Sequence, residues 1–194
     1  MKYCVYGASS DQIKKIYLEK VEELGEKMAK RGHSLVFGAG DAGCMGAVAR
    51  GVHKGGGEIV GVIPTFFGVD GVLFENCTEV IKTDTMRERK KILEDSADAF
   101  IVTPGGIGTY DEFFEIITLK QLERHNKAIA IYNVDGYYNP LHELLHKLVT
   151  DGFMQEATEK LVKFFDDADE MLDYLENYKP EKLSVEDMKH LKQE

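Results

Sequence analysis

The sequence predicts an α/β fold of the doubly wound kind: a mainly parallel sheet with helices on both faces. Two observations predict it. Short apolar runs alternate with longer segments of helical periodicity along most of the chain. Those runs are continuous rather than alternating, the pattern of parallel strands covered on both sides. Such alternation implies βαβ units with right-handed crossovers, hence a Rossmann-like architecture. At 194 residues the chain suits one domain with a substantial core. We place that domain at 1–178, followed by a polar stretch, 179–194, that reads as a short terminal helix or a frayed tail.

The expected strands are Tyr3–Tyr6, Ser34–Phe37, Glu58–Ile63, Thr78–Ile81, Ala99–Val102 and Ala128–Tyr132, with a weaker one at Leu161–Phe165. In the first helical segment Ile13, Ile16, Tyr17, Val21, Leu24 and Met28 recur at helical spacing, and Gly32 follows as a stop signal. Further helices are expected over Gly43–Lys54, Met86–Asp95, Tyr110–Arg124, Pro140–Thr150 and Asp167–Glu176. No internal repeat or low-complexity tract interrupts the series.

Composition narrows the function classes. A net charge of −10 argues against a broad nucleic-acid or anionic-membrane surface, so neither partner is expected. A small anion then needs a local basic cluster. The three cysteines, Cys4, Cys44 and Cys77, are odd in number, widely spaced and set among apolar residues, which suits buried thiols in a reducing compartment. No His/Cys grouping has metal-ligand spacing, and no metal is expected. The N-terminus lacks a signal peptide's apolar region and no apolar run reaches about 18 residues, so the cytoplasm is the expected location.

Ligands of open α/β sheets bind beyond the carboxyl ends of the strands, and three post-strand loops stand out. The first, "GAGDAGCMG" (Gly38–Gly46), matches G-x-G-x-x-G through Gly38, Gly40 and Gly43 and opens a helix. The dinucleotide reading is weak, because Glu58 precedes the next strand instead of ending it. A Walker A reading fails, since Cys44–Met45 stand where Lys–Ser/Thr belongs. What remains is a tight strand-to-helix turn, or a bare backbone approached by a mononucleotide or sugar.

The second loop, "TDTMRERKK" (Thr83–Lys91), contains the capping box Thr85-x-x-Glu88. Arg87, Arg89, Lys90 and Lys91 crowd the same helix start, where the macrodipole disfavours cations. A bound anion reverses that sign; a solvated charged face is the alternative. Met86, Lys90 and Leu93 lie three or four apart, so part of the helix is expected to face the core.

The third, "TPGGIGTYDEFFE" (Thr103–Glu115), places Pro104 at a strand exit and lets glycine N–H groups face a ligand. A helix starting near Thr109 adds a favourable field for phosphate. Thr109-x-x-Glu112 is itself a capping box, so Glu112 reads equally as a helix cap or a functional carboxylate. His125 reads as a helix-end residue.

These motifs resemble those of the LOG ("lonely guy") family, cytokinin riboside 5′-monophosphate phosphoribohydrolases whose bacterial members are often labelled lysine decarboxylases. The family's P-G-G-x-G-T-x-x-E matches Pro104, Gly105, Gly106, Gly108, Thr109 and Glu112; its Met and Arg-Lys match Met86, Arg89 and Lys90. "GVIP" (Gly61–Pro64), "NVDGYYNPL" (Asn133–Leu141) and "DGF" (Asp151–Phe153) also fit, and the likeness runs colinearly over roughly residues 3–175. Three positions depart. Ala39 replaces the middle glycine of the family's GGG, Leu119 stands where plant members have tryptophan, and the acid usual after "VIP" has only Asp70 or Glu75 as counterparts.

The resemblance implies hydrolysis of the N-glycosidic bond of a nucleoside 5′-monophosphate, a cytokinin nucleotide or AMP. It implies Glu112 and Arg89 as catalytic residues. It implies a substrate site of Lys90, Gly105, Gly106, Ile107, Gly108, Thr109, Thr118, Gly40, Gly43 and Met86, with Thr118 supplied in some arrangements by a neighbouring subunit. A homodimer or larger homo-oligomer is implied. No cofactor is expected: the decarboxylase label requires pyridoxal phosphate, and no lysine near the motifs has the desolvated setting of a Schiff base. Molybdenum-cofactor carriers share the fold and loop architecture, which makes a non-catalytic binder the alternative.

Overall fold

The computed structural model describes residues 1–67 and 73–180. Seven strands form one sheet in the order β4-β3-β2-β1-β5-β6-β7. They are β1 (Lys2–Tyr6), β2 (Ser34–Phe37), β3 (Ile59–Pro64), β4 (Glu79–Thr83), β5 (Ala99–Val102), β6 (Ala128–Tyr132) and β7 (Lys163–Phe165). Every neighbouring pair is parallel. The helices are α1 (Lys15–Lys30), α2 (Gly43–Lys54), α3 (Met86–Ser96), α4 (Ile107–Gln121), α5 (Asn139–Thr150), the single turn α6 (Glu156–Glu159) and α7 (Ala168–Glu176). The chain is a Rossmann-like α/β protein, and none of its described helices is long and apolar enough to cross a membrane.

Both faces of the sheet are buried, which is why the strand sequences are continuously apolar. Tyr3, Val5, Leu35, Phe37 and Ile101 point to one face, under α1, α2 and α7. Cys4, Tyr6, Val36, Phe100 and Val102 point to the other, under α3, α4 and α5. The α1 stripe reads out as expected, with Val21, Leu24 and Met28 fully buried. Gly32 ends that helix at φ +77°. His33 N–H donates to Met28 and Gly32 N–H to Ala29, the pair of bonds that satisfies the last orphan carbonyls of a helix.

Several boundaries differ from expectation. β4 is displaced toward Thr83, because its pairing with β3 runs on to Pro64↔Thr83. α4 starts at Ile107 with Gly106 as its N-cap, so Thr109 lies inside the first turn and Thr109-x-x-Glu112 is no capping box. On α3 the residues facing the core are Arg89 and Leu93, while Met86 is exposed. The Thr85–Glu88 capping box does form. Asp70 and residues 181–194 of the tail lie outside the described residues.

Chain order sets the location of the cleft. From β1 the strands step outward through β2, β3 and β4, and β5 then returns to the other side of β1. The loops after β1 and β5 therefore diverge and leave a crevice between them, the topological switch point at which such sheets bind ligands.

Candidate active site

A cleft of about 740 Å³ opens at this switch point. Its walls are the loop after β1 (Gly7, Ala8, Ser9, Asp11), the loop after β2 (Gly38, Gly40, Asp41, Ala42), and the start of α4 from Gly106 to Glu112. Met45, Ile63 and Phe67 form an apolar side.

Two helix N-termini meet here, and they differ in one respect. Asp11 Oδ1 accepts the Gly43 amide of α2 at 2.8 Å, so that end already holds a carboxylate. At α4 no side chain caps the helix, and its first amides belong to the set that no helical carbonyl can satisfy. Added Cβ atoms at Gly106 and Gly108 would meet nothing within 4 Å, so the loop's missing side chains leave open space over those amides. An anion seated there meets N–H donors and the positive end of the helix dipole.

Arg89 reaches the cleft from α3, buried to 8% exposure. Its Nε donates to the Val62 carbonyl at 3.1 Å and its Nη1 to Glu112 Oε1 at 3.4 Å. A Cβ at Gly38 would lie 1.9 Å from Arg89 Nη2. The glycine after β2 thus gives the guanidinium its place, a role the nucleotide-motif reading of Gly38 did not foresee.

Burial pushes the Glu112 carboxyl up to about 7; the Arg89 charge opposes this and Asp111 adds to it. The group therefore exchanges its proton near neutrality. Among described residues, Arg89 is the one basic side chain lining the cleft, against the carboxylates of Asp11, Asp41 and Glu112.

The structure brings together Arg89, Gly40, Gly106, Ile107, Gly108, Thr109 and Glu112. The other expected site residues stand back from the cleft wall. Lys90 Nζ lies 3.1 Å from Asp111 and 2.5 Å from Glu115; burial works against its charge, but those two partners outweigh it and raise its pKa. Gly105 is buried behind the loop, Gly43 N–H is engaged by Asp11, and Met86 is exposed at the start of α3. Thr118 is exposed on α4, its hydroxyl donating to the Phe114 carbonyl at 2.6 Å. Glu75 is exposed and outside the lining.

His125 is structural in its bonding: Nε2 lies 2.8 Å from the Ile116 carbonyl and Nδ1 accepts the Lys127 amide. Burial lowers its pKa to about 4, so the ring stays neutral while it ties α4 to β6. Sequence reasoning missed Ser9, Asp11, Met45 and Phe67. The signal for Ser9 and Asp11 was their place directly after a strand, and Met45 stood within the singled-out Gly38–Gly46 loop; Phe67 carries none.

Fold and cleft define a class, α/β proteins whose ligand sits over a glycine-rich helix start at the switch point of a parallel sheet. The chain belongs to the LOG family. The family described as possible lysine decarboxylase matches residues 45–175. A rice protein (Oryza sativa subsp. japonica) named probable cytokinin riboside 5′-monophosphate phosphoribohydrolase LOGL2 is 38% identical over 180 residues, 93% of this chain and 74% of that protein. The Arabidopsis thaliana cytokinin riboside 5′-monophosphate phosphoribohydrolase LOG7 is 38% identical over 93% of this chain and 83% of its own length. Among solved structures, the molybdenum cofactor carrier protein of Chlamydomonas reinhardtii superposes with a TM-score of 0.70, covering 90% of this chain and 95% of that one, at 20% identity. That likeness is one of fold.

Proposed function

We propose that the protein hydrolyses the N-glycosidic bond of a nucleoside 5′-monophosphate, a cytokinin riboside monophosphate or AMP, releasing the free base and ribose 5-phosphate. One observation carries the reading: a single cleft holds an uncapped helix start fit for a phosphate and, on the same helix, a buried carboxyl that titrates near 7. The names of the relatives support the same chemistry.

In this reading the amides of Gly106, Ile107 and Gly108 and the Thr109 side of the first turn take the 5′-phosphate. Ribose extends toward Glu112. As the C1′–N bond lengthens, the base leaves with the bonding electrons and the sugar gains oxocarbenium character. The Glu112 carboxylate stabilises that charge and takes a proton from the attacking water, whose oxygen bonds to C1′; the departing base takes up a proton in exchange, which returns Glu112 to its ionised form. Arg89 orients Glu112 through Nη1 and holds it ionised more readily than burial alone allows. Gly40 borders the sugar, and Met45, Ile63 and Phe67 offer an apolar side for the base. Lys90 acts from behind: its charge favours ionised Glu112, but its partners Asp111 and Glu115 work the other way, so the trio adds no net positive potential.

A carrier of a phosphorylated cofactor needs the glycine loop but no titrating carboxylate beside it, and Glu112 favours hydrolysis over that alternative. The decarboxylase description fits poorly. No lysine among the described residues lines the cleft, and Lys90 is held charged between Asp111 and Glu115, so a Schiff base with pyridoxal phosphate has no partner there.

A second copy of this chain is the proposed partner. Ile107, Phe114 and Thr118 share one exposed side of α4, with Ile107 89% exposed, while Phe113 and Ile117 are spent on the core. Light scattering of wild type and Phe114→Glu tests this: a dimer that the charge dissociates is expected, and a monomeric wild type overturns it.

The direct test of the activity is incubation with AMP and with isopentenyladenosine monophosphate, following free base by chromatography. Base release from at least one is expected. Tight nucleotide binding with no base from either overturns the proposal.

A further inference from the structure

We propose that Tyr137 is a positioning residue for the glycine loop: its hydroxyl sets the Gly105–Gly106 peptide so that the Gly106 amide faces the cleft. The inference rests on the phosphate-binding part of the function proposed above. Three consecutive carbonyls of this loop each accept one hydrogen bond, two of them from phenols that lie outside the cleft lining. Thr103 O takes the Tyr138 hydroxyl at 2.8 Å, Pro104 O the Ala8 amide at 3.0 Å, and Gly105 O the Tyr137 hydroxyl at 2.6 Å.

A trans peptide is planar, so its C=O and N–H point in opposite directions. No peptide bond described here is cis. Holding the Gly105 carbonyl from the rear therefore aims the Gly106 N–H forward, and Gly106 lines the cleft. The loop cannot do this for itself. A glycine explores the widest range of backbone angles, and no atom lies within 4 Å of where a Gly106 Cβ would be.

The clamp is itself braced. Tyr137 packs edge-on against Tyr138 and Tyr17, at centroid distances of 4.9 and 5.4 Å. The Tyr138 amide donates to Asn133 Oδ1 at 2.7 Å, and Asn133 Nδ2 to Asp166 at 2.9 Å. The segment "NVDGYYN" thus finds a physical purpose: the turn after β6 carries two phenols to the back of the phosphate loop.

The experiment is Tyr137→Phe in the full chain, beside Tyr17→Phe, which removes a hydroxyl from the same aromatic cluster without touching the loop. Removing one aimed hydrogen bond is expected to raise KM for AMP and the inhibition constant of ribose 5-phosphate about fivefold to tenfold. The value of kcat should stay within about twofold, and Tyr17→Phe should leave both constants unchanged. Unchanged ribose 5-phosphate affinity in Tyr137→Phe, or an equal loss in Tyr17→Phe, overturns the assignment. Calorimetric titration with ribose 5-phosphate decides the point even if the wild type releases no base, so the two proposals fail separately.

Discussion

Arg89 Nη1 stands 3.4 Å from Glu112 Oε1, and burial still lifts that carboxyl to about 7 against the arginine's charge. Desolvation outweighs the neighbouring cation because both side chains are enclosed, with 10% and 14% of their surfaces exposed. If the ionised form works, kcat/KM for base release rises with pH along a limb centred near 7. Arg89 opposes the upward shift, so Arg89→Gln moves the limb to higher pH as well as lowering the rate. A pH–rate profile of both proteins checks this, and a limb that does not move would separate Arg89 from Glu112.

The same group leaves a mark on stability. Its native pKa lies above the ordinary glutamate value of 4.5, so the folded state holds the proton more tightly than the unfolded chain. Stability from this site is full below about 4.5, falls as pH rises, and is lost above about 7. Glu112→Gln removes the effect. Relative to wild type, the variant should gain up to about 3 kcal/mol between pH 4.5 and pH 8, read from denaturant melts at both pH values. Parallel pH dependence in the two proteins would mean that Glu112 is not desolvated.

Two glycines separate fold from function. Gly38→Ala places a methyl 1.9 Å from Arg89 Nη2, and Arg89 is pinned at Val62 and Glu112, so activity should fall at least tenfold with about 1–2 kcal/mol of stability lost. Gly108→Ala meets nothing and improves helix propensity by up to about 1 kcal/mol. Its methyl stands over the phosphate loop, so ribose 5-phosphate binding should weaken while the thermal midpoint holds or rises. Function therefore falls in both variants while their thermal melts move in opposite directions, if the cleft is used as proposed.

Most of the fold was legible because parallel strands buried on both faces must be apolar throughout; β1, β2, β5 and β6 differ from their expected bounds by one residue at most. The helix start at α4 was not. A Thr-x-x-Glu spacing looks like a capping box wherever it occurs, and only the Gly106 backbone, at φ −94° and ψ −156°, shows that the helix begins three residues earlier than expected. Of the two cations singled out on α3, Arg89 and Lys90, the first lines the cleft, and what it needs comes from elsewhere in the chain: bare space at Gly38 and a carbonyl at Val62. Lys90 looked equally free in sequence, because Asp111 and Glu115 are about 20 residues away and meet it only through packing of α3 against α4. The wall after β1 was missed because "ASSD" has no glycine spacing to announce it.

Ala39 records a departure from the family pattern in its backbone. It adopts φ +64°, a left-handed conformation that costs an alanine about 1–2 kcal/mol, and it is fully buried with its Cβ against Gly61. The Phe74 amide donates to its carbonyl at 3.0 Å, and Gly40 bridges Leu73 alongside, which holds the turn in place. Ala39→Gly should raise stability by about 0.5–1 kcal/mol, a shift of a few degrees in Tm. A drop in Tm would show that the methyl contact outweighs the strain.

Whether Glu112 performs the chemistry over a phosphate held by α4 is decided by one comparison on Glu112→Gln. Turnover of the nucleoside monophosphate is measured together with calorimetric affinity for ribose 5-phosphate. A rate lower by about 100-fold or more, with affinity within a few-fold of wild type, is the predicted result. Turnover that survives the substitution would contradict it.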